Sequence, residues 1–187
     1  PKAKDKKAVS TADLFVNPGT VGRRNFLDWR ALADLARAGV SIQSHGQTHR
    51  YFDELSDAQV EEELARSKAE IEDRVGTPVV LFAPPGGRLT PRVAGIAQRL
   101  GYRGICSSKA GRWRPGGPPW EIPRVAVLAS TGEEQLRRWV AGDRWEFARA
   151  ALRQRALGAA KGLLGNRGYE RLRARLLAGR GDGGRAP

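Results

Sequence analysis

The sequence contains no methionine, a single cysteine and only two histidines among its 187 residues. A lone Cys106 excludes an internal disulfide and leaves the redox compartment open. No apolar run reaches membrane-spanning length, and no signal peptide is visible. Because the chain begins at Pro1 and lacks even an initiator methionine, we expect it to be a processed product or a fragment of a longer protein.

Acidic residues are scarce relative to basic ones. The chain has 33 Lys and Arg but only 20 Asp and Glu, which gives a formal net charge of +13. The excess is strongest after Trp139, and a second run of lysines lies within residues 2–7. Such a charge suits nucleic acid, anionic lipid or an acidic polymer, but it equally suits solvated helix faces. No zinc-finger, RRM or recognition-helix signature accompanies the charge, which argues against specific nucleic-acid recognition.

Short apolar runs alternate with segments of helical periodicity along the first two thirds of the chain. The predicted strands are residues 12–16, 40–44, 79–82 and 104–107, with a last one at 122–127 whose Pro123 favours an edge or a strand start. The predicted helix caps are Asn25 with Asp28, Ser56 with Gln59, and Thr90 with Pro91, and the predicted stops are Gly39, Gly76 and Gly101. This alternation predicts right-handed crossovers and a mainly parallel α/β sheet.

The two histidines, His45 and His49, stand four residues apart directly after the second predicted strand. Histidine supplies a neutral nitrogen ligand near neutral pH, so a pair at this spacing suits one divalent cation. The carboxyl ends of strands are also where open α/β sheets and barrels gather their chemistry. On the motif alone, the interpretation as ordinary polar loop histidines stays open.

Four segments in this order resemble the polysaccharide deacetylase family, the NodB-homology domain of carbohydrate esterase family 4. They are residues 12–19, 42–49 with Leu55 following, 81–87 and 101–104. The resemblance runs from about Ala12 to Val127. It implies a distorted (β/α) barrel that here lacks its first strand, with extra C-terminal helices. It divides the chain into a deacetylase-like domain at 1–130, basic helices packed on it at 131–178 and a disordered tail at 179–187.

The family's members hold one divalent metal through an aspartate and two histidines, and the resemblance transfers the metal-ligand role to His45 and His49. Zinc is the expected ion. Aromatic Trp113 and Trp120 either stack on sugar rings or cap the core. The resemblance also implies a substrate groove formed by Ala83, Pro84, Pro85, Gly86, Arg88 and Trp113.

The chain departs from the family pattern at the residues that perform catalysis. The family's aspartate pair has no match, because Asp5 lies among lysines and Asp13 lies inside a predicted strand. The family's acid histidine is absent, since both histidines are already assigned. Where many members have an arginine that holds the catalytic aspartate, this chain has Ala83, with Arg88 nearby as a candidate substitute. The catalytic residues are therefore unknown, and we expect weak metal binding and an incomplete or inactive form.

The leading functional prediction is metal-dependent N-deacetylation of an N-acetylated polysaccharide, by hydrolysis of the acetamide C–N bond. The C-terminal helices are similar to those of a subgroup associated with exopolysaccharide synthesis. One alternative is a noncatalytic polysaccharide-binding domain of the same fold. Another is a basic nucleic-acid or membrane-surface module, in which the C-terminal helices make peripheral contact with anionic lipid. Bacterial cell envelope and cytoplasm both stay open as locations, as does the oligomeric state.

Overall fold

The computed structural model describes residues 12–113, 116–117, 120–128 and 131–156. Their chain forms two compact units. The first runs up to Ser108 and takes in Trp113–Arg124, and the second takes in Lys109–Arg112 and the chain from Val125 onward. The lysine-rich start, the part of the predicted basic helices from Leu157 onward and the predicted tail at 179–187 lie outside the described residues.

The first unit alternates strands with helices. Its elements are β1 (Asp13–Val16), α1 (Trp29–Arg37), β2 (Ser41–Ser44), α2 (Asp57–Val75), β3 (Leu81–Phe82), α3 (Pro91–Arg99) and β4 (Gly104–Ile105). In the described part of the chain the strands pair in parallel, in the order β1-β2-β3-β4. A helix thus connects each strand to its neighbour, which is the arrangement that the alternating pattern predicts.

The core of this unit is formed by side chains from the sheet and from α1, α2 and α3. Its fully buried members include Leu32, Ile42, Leu64, Phe82 and Ile105. Three aromatic rings form part of this core, since Phe52 stacks on Phe82 with ring centroids 5.2 Å apart and Phe82 contacts Tyr102 with centroids 5.8 Å apart. The buried Tyr102 hydroxyl donates to the Leu64 carbonyl at 3.0 Å, so its polar atom is satisfied.

Helix boundaries follow capping chemistry. In α2 the Ser56 and Gln59 side chains form the predicted capping box, and Gly76 ends the helix in the left-handed conformation, with φ of 75°. Thr90 caps α3 as predicted, with Pro91 at its first position. The prediction of an Asn25 cap was wrong.

Asp28 caps α1 instead of Asn25. Its side chain accepts from the Ala31 backbone N–H, and the helix begins at Trp29. Asn25 has a positive φ of 69° and lies in the turn before the helix. Asparagine tolerates that conformation well, so it serves the turn while the acid nearest the helix serves the cap.

Three predicted strands are shorter than the apolar runs suggest. The strand predicted at 104–107 is β4, which spans only Gly104–Ile105. The run at 79–82 forms a ladder only over Leu81–Phe82. The predicted last strand at 122–127 was wrong in extent: the described residues show a single parallel bridge between Cys106 and Ile122. Pro123 follows Ile122 directly, and its missing N–H prevents the ladder from continuing there.

The second unit is helical in its described part. α4 (Glu133–Ala141) ends at Gly142 in the left-handed conformation, and residues 144–156 are also helical. Val140 and Trp145 are 81% and 80% exposed, while Glu146 is buried. None of the described helices combines the length and the apolar character needed to cross a bilayer. The packing of these helices on the first unit stays a prediction.

Candidate metal centre

His45 lies immediately beyond β2, at the edge of the sheet where the parallel strands end. Its backbone N–H donates to the Val16 carbonyl at 2.9 Å, and the Ala83 N–H donates to the Ser44 carbonyl at 3.0 Å. These bonds extend the pairing of β1, β2 and β3 by one residue. The position of the first histidine at a strand's carboxyl end is therefore as predicted.

The structure brings the two imidazoles together. Their ring centroids lie 5.0 Å apart, with an angle of 61° between the ring planes. His45 is half-buried and His49 is exposed. A zinc ion bonded to one nitrogen of each ring at about 2.1 Å in tetrahedral geometry would hold the centroids about 5 Å apart. The observed spacing fits that requirement.

The Ala83 carbonyl orients the His45 ring. The distance from His45 Nδ1 to the Ala83 oxygen is 2.6 Å. A carbonyl oxygen only accepts, so Nδ1 carries the hydrogen, and Nε2 keeps its lone pair in the neutral ring. The contact thus selects the tautomer that leaves one nitrogen free for a metal.

Burial lowers the pKa of His45 below its ordinary value. The hydrogen bond to Ala83 opposes this effect, whereas the charges of His49 and Arg124 add to it. The net lowering favours the neutral imidazole near neutral pH. Neutral imidazole is the form that binds metal.

The loop after β1 donates hydrogen bonds to backbone carbonyls of residues 45–49, which we call the histidine loop. Asn17 Nδ2 donates to the His45 and Gly46 oxygens at 2.7 and 2.9 Å, and the Gly19 N–H donates to the Gln47 oxygen at 2.9 Å. Any side chain at Gly19 would place its Cβ 2.8 Å from that oxygen. The sequence pattern treats Asn17 and Gly19 only as the end of the first strand, so their role here was missed.

The sequence pattern also missed Glu63 and Arg124. Glu63 projects from α2 to the histidine loop, where it accepts from the Gln47 and Thr48 backbone N–H groups. Arg124 donates from Nε to the Ser107 oxygen at 3.0 Å and from Nη2 to the Cys106 oxygen at 2.8 Å. Both side chains contact backbone groups distant in sequence, which local periodicity does not detect.

The described part of the chain supplies two candidate ligands and no third. Among the described residues no group of three His, Cys, Asp or Glu is arranged to hold an ion. Asp13 pairs with Ser41 at the opposite end of the strands. Ser41 precedes His45 by four residues along β2, which places Asp13 roughly 13 Å away from the histidine along the strand direction. Asp5 lies outside the described residues. The residues present fit a divalent ion as two of the three protein ligands that catalytic zinc sites use.

The predicted groove residues occupy varied environments. Ala83 is 1% exposed and contributes its carbonyl, Pro84 and Pro85 are also buried, and Gly86 is exposed. Trp113 is 41% exposed. The groove assignment for these residues stays a prediction.

Arg88 interacts with carboxylates of the turn at Phe52–Glu54. Its guanidinium lies 3.2 Å from Asp53 and 2.9 Å from Glu54, and it stacks 3.8 Å from the Tyr51 ring centroid. The positive charge of Arg88 is therefore paired with these two carboxylates. Cys106 is buried, and burial raises the pKa of its thiol, so this side chain behaves as a small hydrophobe.

Comparison with known proteins supplies the wider context for this geometry. The sequence model of the family described as polysaccharide deacetylase matches residues 5–105, more than half of the chain. A Bacillus subtilis (strain 168) protein assigned as a polysaccharide deacetylase, YxkH, is 26% identical over 98 residues. That match covers 52% of this chain and 35% of YxkH.

Solved structures share the fold. The Streptococcus pyogenes deacetylase PplD in complex with acetate aligns with a TM-score of 0.62 at 22% identity, covering 69% of this chain and 58% of PplD. A polysaccharide deacetylase from Bacillus cereus aligns with a TM-score of 0.62 at 24% identity, covering 72% of this chain and 43% of that one. The chain thus spans only about a third to three fifths of the length of these relatives.

The predicted fold class is confirmed. The parallel sheet and its helices match part of the α/β barrel of these deacetylases. With the family's sequence model covering more than half of its residues, the chain belongs to the polysaccharide deacetylase family.

Proposed function

We propose that this chain is the histidine-bearing part of a metal-dependent polysaccharide N-deacetylase, with His45 and His49 as two ligands of one divalent ion, zinc in the first instance. The observation that carries the proposal is the 5.0 Å spacing of the two rings at the carboxyl edge of the sheet. Membership of the family supports hydrolysis of the acetamide C–N bond of an N-acetylated polysaccharide.

The bound ion would supply Lewis-acid polarisation of the acetamide carbonyl and of a water molecule. The chain's own residues prepare the ligands. The Ala83 carbonyl holds His45 in the Nδ1–H tautomer, so that Nε2 is presented, and burial lowers the pKa of that ring, which favours its neutral form. Asn17 fixes the backbone that carries the ring.

Among the described residues no carboxylate completes a three-ligand group with the histidine pair. A third ligand and an acceptor for the proton of the attacking water would both have to come from other residues. We therefore propose that the chain, as given, binds zinc weakly and does not turn over acetylated oligosaccharide.

A noncatalytic polysaccharide-binding domain of the same fold is the second candidate. The same missing carboxylates favour it, and the exposed Trp113 offers an aromatic face of the kind on which sugar rings stack. The two candidates differ in one property: the first requires a metal ion at His45 and His49, and the second requires none.

Calorimetric titration with zinc, together with a deacetylation assay on an N-acetylglucosamine oligomer, tests the proposal. We expect dissociation constants in the micromolar range or weaker, at least about tenfold weaker binding in His45→Ala and in His49→Ala, and no acetate release. Asp34→Asn is the matched control, because this exposed side chain lies on α1 and pairs with Arg37 of the same helix.

Unchanged zinc affinity in the double variant His45→Ala/His49→Ala would refute the ligand assignment. Submicromolar zinc binding with acetate release would refute the proposed incompleteness of the chain. Oligosaccharide binding that persists in the double variant and in the presence of a chelator would favour the noncatalytic candidate.

A further inference from the structure

A buried carboxylate on α2 reaches the histidine loop. Glu63 is 8% exposed, and its Oε2 accepts from the backbone N–H groups of Gln47 and Thr48, both at 2.9 Å. Its Oε1 accepts from the Thr48 hydroxyl at 2.5 Å. Among the described residues no lysine or arginine pairs with it, so these three donors compensate the buried charge.

The loop is therefore held from two sides. Asn17 and Gly19 donate to the carbonyls of His45, Gly46 and Gln47, whereas Glu63 accepts the N–H groups that follow. The remaining Gly46 N–H donates to Ser44 Oγ at 3.2 Å. Since a buried N–H without an acceptor is rare, the buried Gln47 N–H requires the Glu63 carboxylate as its acceptor.

His49 directly follows Thr48, the last residue that Glu63 contacts, and its backbone is in the left-handed region with φ of 66°. Residues other than glycine rarely adopt that conformation without surrounding support. The turn directs the second imidazole back to within 5.0 Å of His45. If Thr48 were released, His49 would relax towards an extended backbone, and the two rings would separate.

We infer that Glu63 is the positioning residue of the metal centre. It does not contact the ion; it fixes the Gln47–Thr48 turn and, through it, the spacing of the two imidazoles. This inference rests on the proposed function for the metal, but the hold on the loop can be measured without metal.

The test uses Glu63→Ala and Glu63→Gln in the full chain, with Glu61→Ala as control, because Glu61 is exposed on the same helix. In Glu63→Ala, amide hydrogen exchange at Gln47 and Thr48 should accelerate at least tenfold, while core amides such as that of Ile42 stay protected. Cobalt(II) affinity, followed by its visible absorption, should fall by about 10- to 100-fold. Glu61→Ala should change neither readout by more than about twofold.

Glu63→Gln keeps the test decisive if the alanine variant does not fold. Its amide oxygen can still accept the two N–H groups and its NH₂ can donate to the Thr48 hydroxyl, but the charge is lost. The Gln47 and Thr48 amide protons should therefore move upfield, and cobalt affinity should fall by less than in Glu63→Ala. Intermediate values of both readouts would support a role in positioning.

Unshifted Gln47 and Thr48 amides in Glu63→Gln, or wild-type cobalt affinity in a folded Glu63→Ala, would overturn the inference. Failure of the wild-type chain to bind cobalt at all would instead overturn the proposed function. In that case the exchange rates at Gln47 and Thr48 alone decide whether Glu63 holds the loop.

Discussion

Gln43 joins β2 to the segment that leads into β3, and its replacement should destabilise both the sheet and the candidate site. The side chain is 4% exposed. Its Oε1 accepts from the Val80 and Leu81 backbone N–H groups at 2.9 and 2.7 Å, and its Nε2 donates to Ser41 Oγ at 2.8 Å. The Gln43 side-chain amide thus supplies the hydrogen-bond acceptor that a neighbouring strand would otherwise supply to Val80 and Leu81.

The variant Gln43→Leu has nearly the same volume but leaves two backbone N–H groups without their acceptor. Each buried donor left unsatisfied costs about 1–3 kcal/mol. Val80 and Leu81 are only half-buried, so water can partly replace the lost acceptor. We therefore expect a loss of about 2–4 kcal/mol in the free energy of unfolding of the first unit. The segment continues to Ala83, so the contact of its carbonyl with His45 should loosen as well.

Urea unfolding combined with native-state hydrogen exchange measures this loss, since exchange of core amides reports on the first unit separately. The control is Gln98→Leu, an exposed position on α3, which should stay within about 0.5 kcal/mol of the wild type. A loss below about 0.5 kcal/mol in Gln43→Leu, or unchanged exchange at Val80 and Leu81, would refute the reasoning.

Three further predictions concern the site and its support. In an NMR titration His45 should protonate below the ordinary value of 6.5, because burial lowers its pKa. The unfolded chain then binds a proton that the folded chain does not, so stability should fall as the pH drops from 6.5 through the lowered pKa; a midpoint above 6.5 would contradict this. Gly19→Ala places Cβ 2.8 Å from the Gln47 oxygen and should cost about 1–3 kcal/mol and weaken zinc binding; unchanged melting and affinity would count against it. Gly95→Ala, inside α3 with no atom within 4 Å of the new Cβ, should instead raise stability by about 0.5–1 kcal/mol in thermal unfolding, and a lower melting temperature would disprove that.

The elements that sequence reasoning predicted well are those with local signals. The capping box at Ser56 and the glycine stop at Gly76 delimit α2 because caps depend on residues three or four positions away. The placement of His45 at a strand end followed from the apolar run before it. The Asn25 cap failed because two capping residues stand close together, and only the path of the turn selects Asp28.

The support of the site was not predicted, because its contacts are long-range. Asn17 reaches the histidine loop across 28 residues, Gln43 reaches Val80 across 37, and Glu63 reaches Thr48 across 15. One signal was present for Glu63. Glu63 falls on the buried face of α2, so its carboxylate is expected to point to the interior. The other buried residues of that face are Val60, Leu64, Ser67 and Ile71. A charged residue on a buried helix face requires hydrogen-bond partners. That requirement could have identified Glu63 as a residue with a long-range structural contact.

The central claim, that the two imidazoles share one ion, is tested most directly by anomalous diffraction at the zinc edge from crystals of the chain soaked in zinc. We predict a single peak at about 2.0–2.1 Å from one nitrogen of His45 and one of His49, with the His45 Nδ1 still on the Ala83 carbonyl. A peak on one histidine alone, separate peaks on each, or the two rings turned apart without zinc between them would contradict the account.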